Sequence, residues 1–292
     1  MERTLIGIED LEGGLGVRVS GVDLAKGCDG PTMERLRELL YRHHVLVIGG
    51  QSLDTQTYLA FGKRWGAPIE FLREDQRVDG SPEVIIVSNS PFLFPEGARD
   101  YAVHWHSDST YEEVPASTTM LYCLEAPKAG GETLFADTEA AYAALSGEMK
   151  ARIEGLMGRH KAGAGQRDPE FGERPHSKKP FSEEAQKRIR TFLHPLALTH
   201  PVTRKRVLFG VAGTATGIEG MEDATAMKLI TDLKRHVLQP QFRGGYTARE
   251  GDILLWDNYS LIHTATPIDY SLEDGHRRVL HRISVKGFAP AA

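Results

Sequence analysis

Several stretches of the chain place apolar residues three or four positions apart, the spacing that gathers them on one face of an α-helix. Most of these stretches follow an Asp or Thr, whose side chain can accept hydrogen bonds from the first free backbone N–H groups of a helix. Pro31 falls in the first turn of the first stretch, where the N–H that proline lacks would have no helical partner. The predicted helices begin after Asp29 and Asp54, at a cap formed by Thr138, and near Asp223, and they end near His43, Trp65, Leu145 and Val237.

Shorter apolar or alternating runs, bounded by glycine and other turn-forming residues, predict β-strands. They do not alternate regularly with the helices, so we expect an antiparallel double-sheet jelly roll with helices packed outside it. The expected class is mainly β with flanking helices (α+β), with residues 1–292 forming a single domain. The predicted strands are 16–22, 45–48, 83–87, 118–124, 133–137, 196–198, 206–209, 253–256 and 278–285.

Two segments show no such periodicity. Residues 89–103 contain two prolines and lead directly to His106, so this segment is a candidate lid or a plain surface loop. Residues from about 162 to 188 are charged and glycine-rich, a composition typical of a mobile polar insertion or lid. The same fold type continues after residue 188, so we interpret this second segment as an insertion and not as a domain linker.

The net charge of the chain argues against polyanionic partners. The formal net charge is -5 and the pI is near 6.2, with no long basic run, so neither nucleic acid nor an anionic membrane is an expected partner. The first residues lack the order of a signal peptide, and no run of about 18 apolar residues occurs. We therefore expect a cytoplasmic protein in which Cys28 and Cys123 are free thiols.

The sequence VHWHSD at 103–108 contains the first candidate site. His106 and Asp108 are two residues apart, so on an extended segment their side chains would point to the same side. They would supply two thirds of a 2-His-1-carboxylate facial triad, which holds non-haem Fe(II) and leaves the other coordination positions open. His263 can complete the set, because it follows the apolar strand 253–256 and a turn, which would place it at a strand mouth. A purely structural role for His263 remains the alternative.

The sequence RVLHRISV at 278–285 places Arg278 and Arg282 on one face of a predicted strand. Two arginines are costly to bury without anions, and a guanidinium suits a carboxylate or sulfonate because its N–H groups donate in pairs. If this face is turned inward, the strand offers two separate anion clamps. The alternative is a solvated edge strand with its charges turned outward.

Together, these residues are part of a longer ordered set that resembles the taurine dioxygenase and 2,4-dichlorophenoxyacetate dioxygenase family. The motifs are WHSD at 105–108, GGETLFAD at 130–137, HPVT at 200–203, WDN at 256–258, His263 and RRVLHR at 277–282. The resemblance extends from about residue 10 to residue 286. It implies an Fe(II)- and 2-oxoglutarate-dependent dioxygenase with a double-stranded β-helix, which is a jelly roll, and a homodimeric or homotetrameric assembly.

The resemblance also implies roles for individual residues. The matching positions are His106, Asp108 and His263 for the iron ligands, Arg278 and Thr133 for the distal carboxylate of 2-oxoglutarate, and Trp256 for packing beside this cosubstrate. Arg278 is thereby also the catalytic candidate. Three protein ligands leave two iron positions for 2-oxoglutarate and one for O2, and the expected products are succinate, CO2 and a hydroxylated substrate. Related halogenases have a small residue in place of Asp108, so its presence favours oxygenation.

The substrate is expected to be a small anionic organic molecule. Arg282 matches the arginine that holds the sulfonate in taurine oxygenases, whereas Phe71, Glu74 and Ala102 stand where those enzymes have other polar contacts. This difference favours a bulkier, more apolar body with an acidic end, as in an aryloxyalkanoate, sulfonate or sulfate ester. A non-catalytic jelly-roll sensor of an organic acid and a zinc hydrolase with the same ligands stay open as alternatives. The hydrolase would leave Arg278 and Thr133 without a purpose.

Overall fold

The computed structural model describes residues 6–90, 102–165, 167–173, 180–269, 271–273 and 275–287. These residues form a mixed structure of many strands and some helices. The strands are β1 (Gly7–Asp10), β2 (Val17–Ser20), β3 (Val45–Ile48), β4 (Arg77–Val78), β5 (Ser81–Ser88), β6 (Ala116–Glu125), β7 (Thr133–Asp137), β8 (Met157–Lys161), β9 (Thr191–Pro195), β10 (Ala197–Thr199), β11 (Arg206–Leu208), β12 (Ala215–Ile218), β13 (Arg243–Tyr246), β14 (Ile253–Asp257), β15 (Leu261–Ala265) and β16 (Val279–Lys286). The helices are α1 (Gly30–His43), α2 (Thr55–Lys63), α3 (Thr138–Ala144), α4 (Gly147–Ile153), α5 (Glu183–Arg188) and α6 (Asp223–Val237).

One large sheet is the framework of the molecule. Its strand order is β1-β2-β3-β14-β6-β16-β5-β4, and every neighbouring pair is antiparallel except β2 and β3. The central strand β14 is buried on both faces: Ile253 and Leu255 pack in one apolar cluster, and Leu254 and Trp256 pack in another. This double burial explains why β14 is a continuous apolar run and not an alternating one.

The two faces of the large sheet are covered differently. Helices α1 and α2 pack on one face through the cluster that contains Ile253 and Leu255. A three-stranded antiparallel sheet, β13-β7-β15, covers the other face, where its Phe135 and Leu261 pack with Trp256. Helices α3 and α6 lie on the outer side of this smaller sheet. The remaining strands form two small sheets, β12-β8-β9 and β10-β11.

Aspartate side chains cap the first turns of three helices. Asp29 and Asp54 accept hydrogen bonds from the backbone N–H of Thr32 and Thr57, which confirms them as the caps of α1 and α2. The expectation for Thr138 was wrong. Asp137 is extended and accepts from the N–H of Ala140, so Asp137 caps α3, and the helix ends at Ala144, one residue earlier than predicted.

Other expectations fall partly or wholly outside the described residues. Of the candidate lid at 89–103, residues 91–101 lie outside them, as do residues 166 and 174–179 of the predicted insertion. The described part of the insertion contains a 3-10 turn at Pro169–Phe171 and helix α5. Cys28 and Cys123 are both free, as expected. Over the part of the chain that is described, no helix is long and apolar enough to cross a membrane.

Candidate active site

Two histidines and an aspartate converge between the two facing sheets. His106 forms an isolated antiparallel bridge with His263 of β15, through backbone N–H···O bonds of 2.9 and 2.8 Å. One ligand-type atom each from His106, Asp108 and His263 lies within 4.8 Å of the others. No second cluster of this kind occurs among the described His, Cys, Asp and Glu residues. The structure therefore brings together the three residues that the sequence singles out.

The local geometry behind this convergence differs from the one expected. The segment from His104 to Asp108 is not a strand: only His106 pairs with another backbone, and Asp108 lies in a turn followed by Ser109 at φ 56°. His263 lies within β15 and not at a strand mouth. Alternation along an extended strand is thus the wrong explanation, and the bridge between His106 and His263 is the correct one.

Each imidazole can offer a ring nitrogen to a metal ion. The Nδ1 of His106 donates to the carbonyl oxygen of His104 at 2.8 Å, which leaves the Nε2 of His106 unprotonated in the neutral ring. Burial, together with the neighbouring His106, holds the pKa of His263 well below its ordinary value, so the His263 ring is neutral at pH 7. The Nε2 atoms of His106 and His263 lie 3.5 and 3.7 Å from the two oxygens of Asp108. Two imidazoles and one carboxylate are the donor set that suits non-haem Fe(II).

Asp108 is held on both of its oxygens. Thr119 donates to Oδ2 at 2.7 Å, and the Nη2 of Arg282 lies 2.9 Å from Oδ1. The side-chain oxygen of Asn258 accepts from the backbone N–H of Asp108 at 3.2 Å and from the Trp256 indole at 3.0 Å. Burial opposes ionisation of Asp108, but the charge of the Arg282 guanidinium holds its pKa well below the ordinary value. Asp108 is therefore a fixed, ionised carboxylate.

A cavity of about 490 Å³ opens beside these residues. Its wall includes His106 and Asp108 together with four other residues that the sequence predicts for the site: Arg278, Arg282, Phe71 and Ala102. Much of the remaining wall is apolar, with contributions from Leu72, Ile85, Val87 and Phe181. Two further arginines, Arg73 and Arg167, also line it, so the cavity combines four cationic side chains with an apolar body.

Arg278 is a buried cation at the wall of the cavity. Its side chain lines the cavity, and no carboxylate in the described parts of the chain pairs with its guanidinium. Burial lowers the pKa of Arg278 to about 10, and burial raises that of the neighbouring Cys123 thiol to about 12, so the thiol stays neutral. Gly131, at φ 72°, makes room for this side chain, because a Cβ there would lie 2.9 Å from the Arg278 Cδ. The arrangement fits a carboxylate of a bound ligand.

Thr133 and Trp256 do not form part of the cavity wall. Thr133 is paired across the sheet with Ala265, which does line the cavity, so both side chains lie on the same face of the smaller sheet. Trp256 is buried with its ring 4.6 Å from that of His263. Trp256 thus supports a proposed metal ligand from behind, and direct packing beside the cosubstrate stays a prediction.

Arg282 lies between the carboxylate and the apolar wall. Its Nη2 and Nε donate to the Ser284 hydroxyl at 3.1 and 3.3 Å, and its guanidinium carbon lies 5.3 Å from the centre of the Phe71 ring. Its Nη1 has no hydrogen-bond or ionic partner among the residues that the structure covers. This nitrogen is therefore available to an anion in the cavity. The inward orientation of Arg278 and Arg282 excludes the alternative of an edge strand with charges turned outward.

The insertion contributes residues to the site that the sequence reasoning missed. Ala162, Gly163, Arg167 and Phe181 all line the cavity. Nearby, the buried carboxylate of Glu173 pairs with Lys234 of α6 and accepts from the backbone N–H groups of Trp105 at 3.1 Å and Asp168 at 2.9 Å. Glu173 thus ties the insertion to the residue that precedes His106.

Comparison with known proteins gives the family. The family model described as taurine catabolism dioxygenase TauD, TfdA family matches residues 7–284. The chain belongs to this family. The resemblance read from the sequence motifs is therefore confirmed. This TauD/TfdA-family protein is an oxidoreductase, a dioxygenase that uses Fe(II), 2-oxoglutarate and O2, and its cluster of two His and one Asp fits the iron.

Its relatives include enzymes with different named substrates. It is 33% identical over 267 residues to an (S)-phenoxypropionate/alpha-ketoglutarate-dioxygenase of Sphingobium herbicidovorans, which covers 90% of each chain. It is 28% identical to an alpha-ketoglutarate-dependent 2,4-dichlorophenoxyacetate dioxygenase of Cupriavidus pinatubonensis, over 89% of this chain and 92% of that one. It is 26% identical to an alpha-ketoglutarate-dependent sulfate ester dioxygenase of Pseudomonas putida, over 97% and 90%. Alpha-ketoglutarate is another name for 2-oxoglutarate.

Solved structures agree with this assignment. A taurine dioxygenase from Burkholderia xenovorans is 27% identical, with a TM-score of 0.78 and coverage of 98% of this chain and 91% of that one. A structure of AAD-2 in complex with Mn(II) and N-oxalylglycine is 26% identical, with a TM-score of 0.77 and coverage of 99% and 100%.

Proposed function

We propose that this dioxygenase hydroxylates a small anionic organic substrate, an aryloxyalkanoate, sulfonate or sulfate ester, with release of succinate and CO2. The observation that carries the proposal is the position of Arg282, which lines a largely apolar cavity beside Asp108 and whose Nη1 has no hydrogen-bond partner among the described residues. The named substrates of the relatives support it, since phenoxypropionate, 2,4-dichlorophenoxyacetate and sulfate esters each join an organic body to an oxyanion.

Within this proposal, different residues of the site bind the metal and the 2-oxoglutarate. His106, Asp108 and His263 hold Fe(II), which when bound supplies the activation of O2 at the expense of 2-oxoglutarate. Arg278 binds the distal carboxylate of 2-oxoglutarate. Thr133 lies beside the cavity residue Ala265 in the smaller sheet, and Trp256 packs against His263. The absence of a described counter-ion for Arg278 supports this role, because an unpaired buried cation is costly.

The substrate is oriented by Arg282 and Phe71. Arg282 would hold the acidic end through Nη1, while the Phe71 ring, already in contact with the guanidinium, forms a flat apolar wall for the body of the substrate. Ala102 projects only a methyl group into the cavity, and its carbonyl is fixed by the N–H of Ala265 at 2.9 Å. A bulky body is therefore accommodated at this position.

We also propose that the two facing sheets form a double-stranded β-helix, or jelly roll, and that residues 1–292 form a single domain. The insertion at about 162–188 is then part of the wall of the cavity, which is supported by the four cavity residues that it contributes. A homodimeric or homotetrameric state, a cytoplasmic location and the lack of nucleic-acid or membrane partners stay predictions from the sequence.

Turnover of matched substrate pairs tests the function. Phenoxyacetate, hexanesulfonate and hexyl sulfate would each be compared with a neutral analogue, respectively the methyl ester, hexanesulfonamide and hexanol, with succinate and the oxidised product quantified together. We expect at least one anion to give product and succinate in equal amounts and its neutral partner to give far less. Equal turnover of anion and neutral partner, or no coupled turnover with any anion, would contradict the proposed substrate class.

A further inference from the structure

Asp108 and Arg282 are connected both by an ion pair and by a chain of side-chain hydrogen bonds that no sequence motif predicts. Arg282 contacts Asp108 Oδ1 directly and also donates to Ser284, and the Ser284 and Thr119 hydroxyl oxygens are 2.8 Å apart. Thr119 completes the circuit by donating to Asp108 Oδ2, and the side-chain amide of Asn258 donates to Thr119 at 2.9 Å. The proposed metal ligand and the proposed anion anchor thus belong to one network.

The directions of these hydrogen bonds follow from counting protons. Thr119 has one hydroxyl proton, which it gives to Asp108 Oδ2 at 2.7 Å. Ser284 must therefore donate its own proton to Thr119, and its lone pairs are left to accept from Arg282. Thr119 then donates once and accepts twice, from Ser284 and Asn258. The hydroxyls of Thr119 and Ser284 thus each have a defined acceptor and a defined donor.

The sheet fixes this circuit from three strands. Thr119 of β6 is paired with Trp256 of β14 on one side and with Ser284 of β16 on the other. Directly opposed residues of neighbouring strands share a face, so their side chains meet in a row across the sheet. Thr119 is fully buried, and Ser284 nearly so. The hydroxyl of Thr119 therefore has a rigid position and is shielded from competing water.

We propose that Thr119 is a positioning residue for the metal ligand Asp108, and that Ser284 joins this ligand to Arg282 so that metal and substrate anion are held by one rigid unit. With Thr119 on one oxygen and Arg282 on the other, the carboxylate cannot rotate without breaking the hydrogen bond from Thr119 or the ion pair with Arg282. A partner that orients a metal ligand in this way contributes to metal affinity without touching the metal. The inference rests on the proposed role of Asp108 as a ligand.

The test measures affinity for Co(II) by its visible absorption in the protein without 2-oxoglutarate or substrate, so the readout does not depend on turnover. Thr119→Val removes the hydroxyl at nearly constant shape and should weaken Co(II) binding by roughly 10- to 100-fold, the usual effect of losing such a partner. Thr119→Ser restores a hydroxyl and should recover most of the affinity. Thr138→Val is the matched control: Thr138 is also fully buried, and its hydroxyl donates to the backbone carbonyl of Tyr259, so native affinity is expected.

Two further variants distinguish an error in the proposed metal ligand from an error in the proposed roles of Thr119 and Ser284. Asp108→Ala should abolish specific Co(II) binding, and native affinity in that variant would overturn the proposed ligand and the inference with it. Loss of binding in Asp108→Ala together with native affinity in Thr119→Val would overturn only the inference. Ser284→Ala keeps the bond from Thr119 to Asp108, so it should raise KM for the anionic substrate more than it lowers kcat. An unchanged KM in Ser284→Ala would refute the link to Arg282 even if Thr119→Val did not fold.

Discussion

Replacing Arg278 by methionine should make the unliganded protein more stable while it weakens binding of 2-oxoglutarate. The pKa of Arg278 is lowered from 12.5 to about 10 because the guanidinium is buried. A shift of this size corresponds to a penalty of roughly 3 kcal/mol for burying the charge, since one pKa unit is about 1.4 kcal/mol. Both values lie well above neutral pH, so the penalty is fully present at pH 7 and fades only as the pH rises through about 10.

Methionine keeps an unbranched apolar stem against Gly131 and leaves the backbone bond from Arg278 to Asn89 in place. The variant should therefore gain up to about 3 kcal/mol in the free energy of unfolding, less whatever packing is lost. Binding of 2-oxoglutarate should lose about 1.5 to 3 kcal/mol, the usual value of a hydrogen bond to a charged group. At about 1.4 kcal/mol per factor of ten, this is a loss of roughly 10- to 150-fold in affinity.

Denaturant unfolding of metal-free protein at pH 7 measures the first quantity, and the rise in melting temperature with 2-oxoglutarate in the presence of Fe(II) under argon measures the second. Arg77→Met is a suitable control for 2-oxoglutarate binding, because Arg77 is only partly buried and does not line the cavity. Lower stability of Arg278→Met without ligand, or an undiminished response to 2-oxoglutarate, would refute the reasoning.

Three further changes test other parts of the molecule. Arg282→Ala should raise KM for an anionic substrate by the equivalent of about 1.5 to 3 kcal/mol in steady-state assays, and unchanged kinetics would argue against its role. Glu173→Ala leaves Lys234 buried and unpaired and should cost about 3 to 5 kcal/mol in denaturant unfolding, most of which the double change Glu173→Gln with Lys234→Met should restore. Burial lowers the pKa of His160 from 6.5 to about 3, so the unfolded chain takes up its proton first and stability falls as the pH drops below 6.5. His160→Gln should flatten this decline by up to roughly 1.4 kcal/mol per pH unit, and an unchanged slope would contradict the account.

Local signals in the sequence were sufficient for several elements. The caps at Asp29 and Asp54 and the helix Asp223–Val237 occur as expected, because they depend on residues within one or two turns of each other. Strand β8, with the sequence MGRHK, was missed. It has no run of apolar residues, and its place in a sheet depends on pairing with β9 and β12, which are far away in sequence.

In the candidate site too, some residues could be predicted from local sequence and others depend on the tertiary structure. The His106, Asp108 and His263 cluster and both arginines could be found from motifs, since each carries a side chain of unusual chemistry. Thr119 could not, because its importance depends on strand register that places it opposite Trp256 and Ser284. Residues from the insertion were missed for a related reason: its polar composition gave no indication that Gly163 and Phe181 would line the cavity.

The most direct test of the account is an anaerobic visible-absorption titration of metal-free protein with Fe(II) and then with 2-oxoglutarate, repeated with Arg278→Met and His263→Ala. We predict a new charge-transfer band in the native protein only when both are present. The band should require a higher 2-oxoglutarate concentration in Arg278→Met and should be absent in His263→Ala. Iron that binds to the native protein without giving this band on addition of 2-oxoglutarate would contradict the proposed centre.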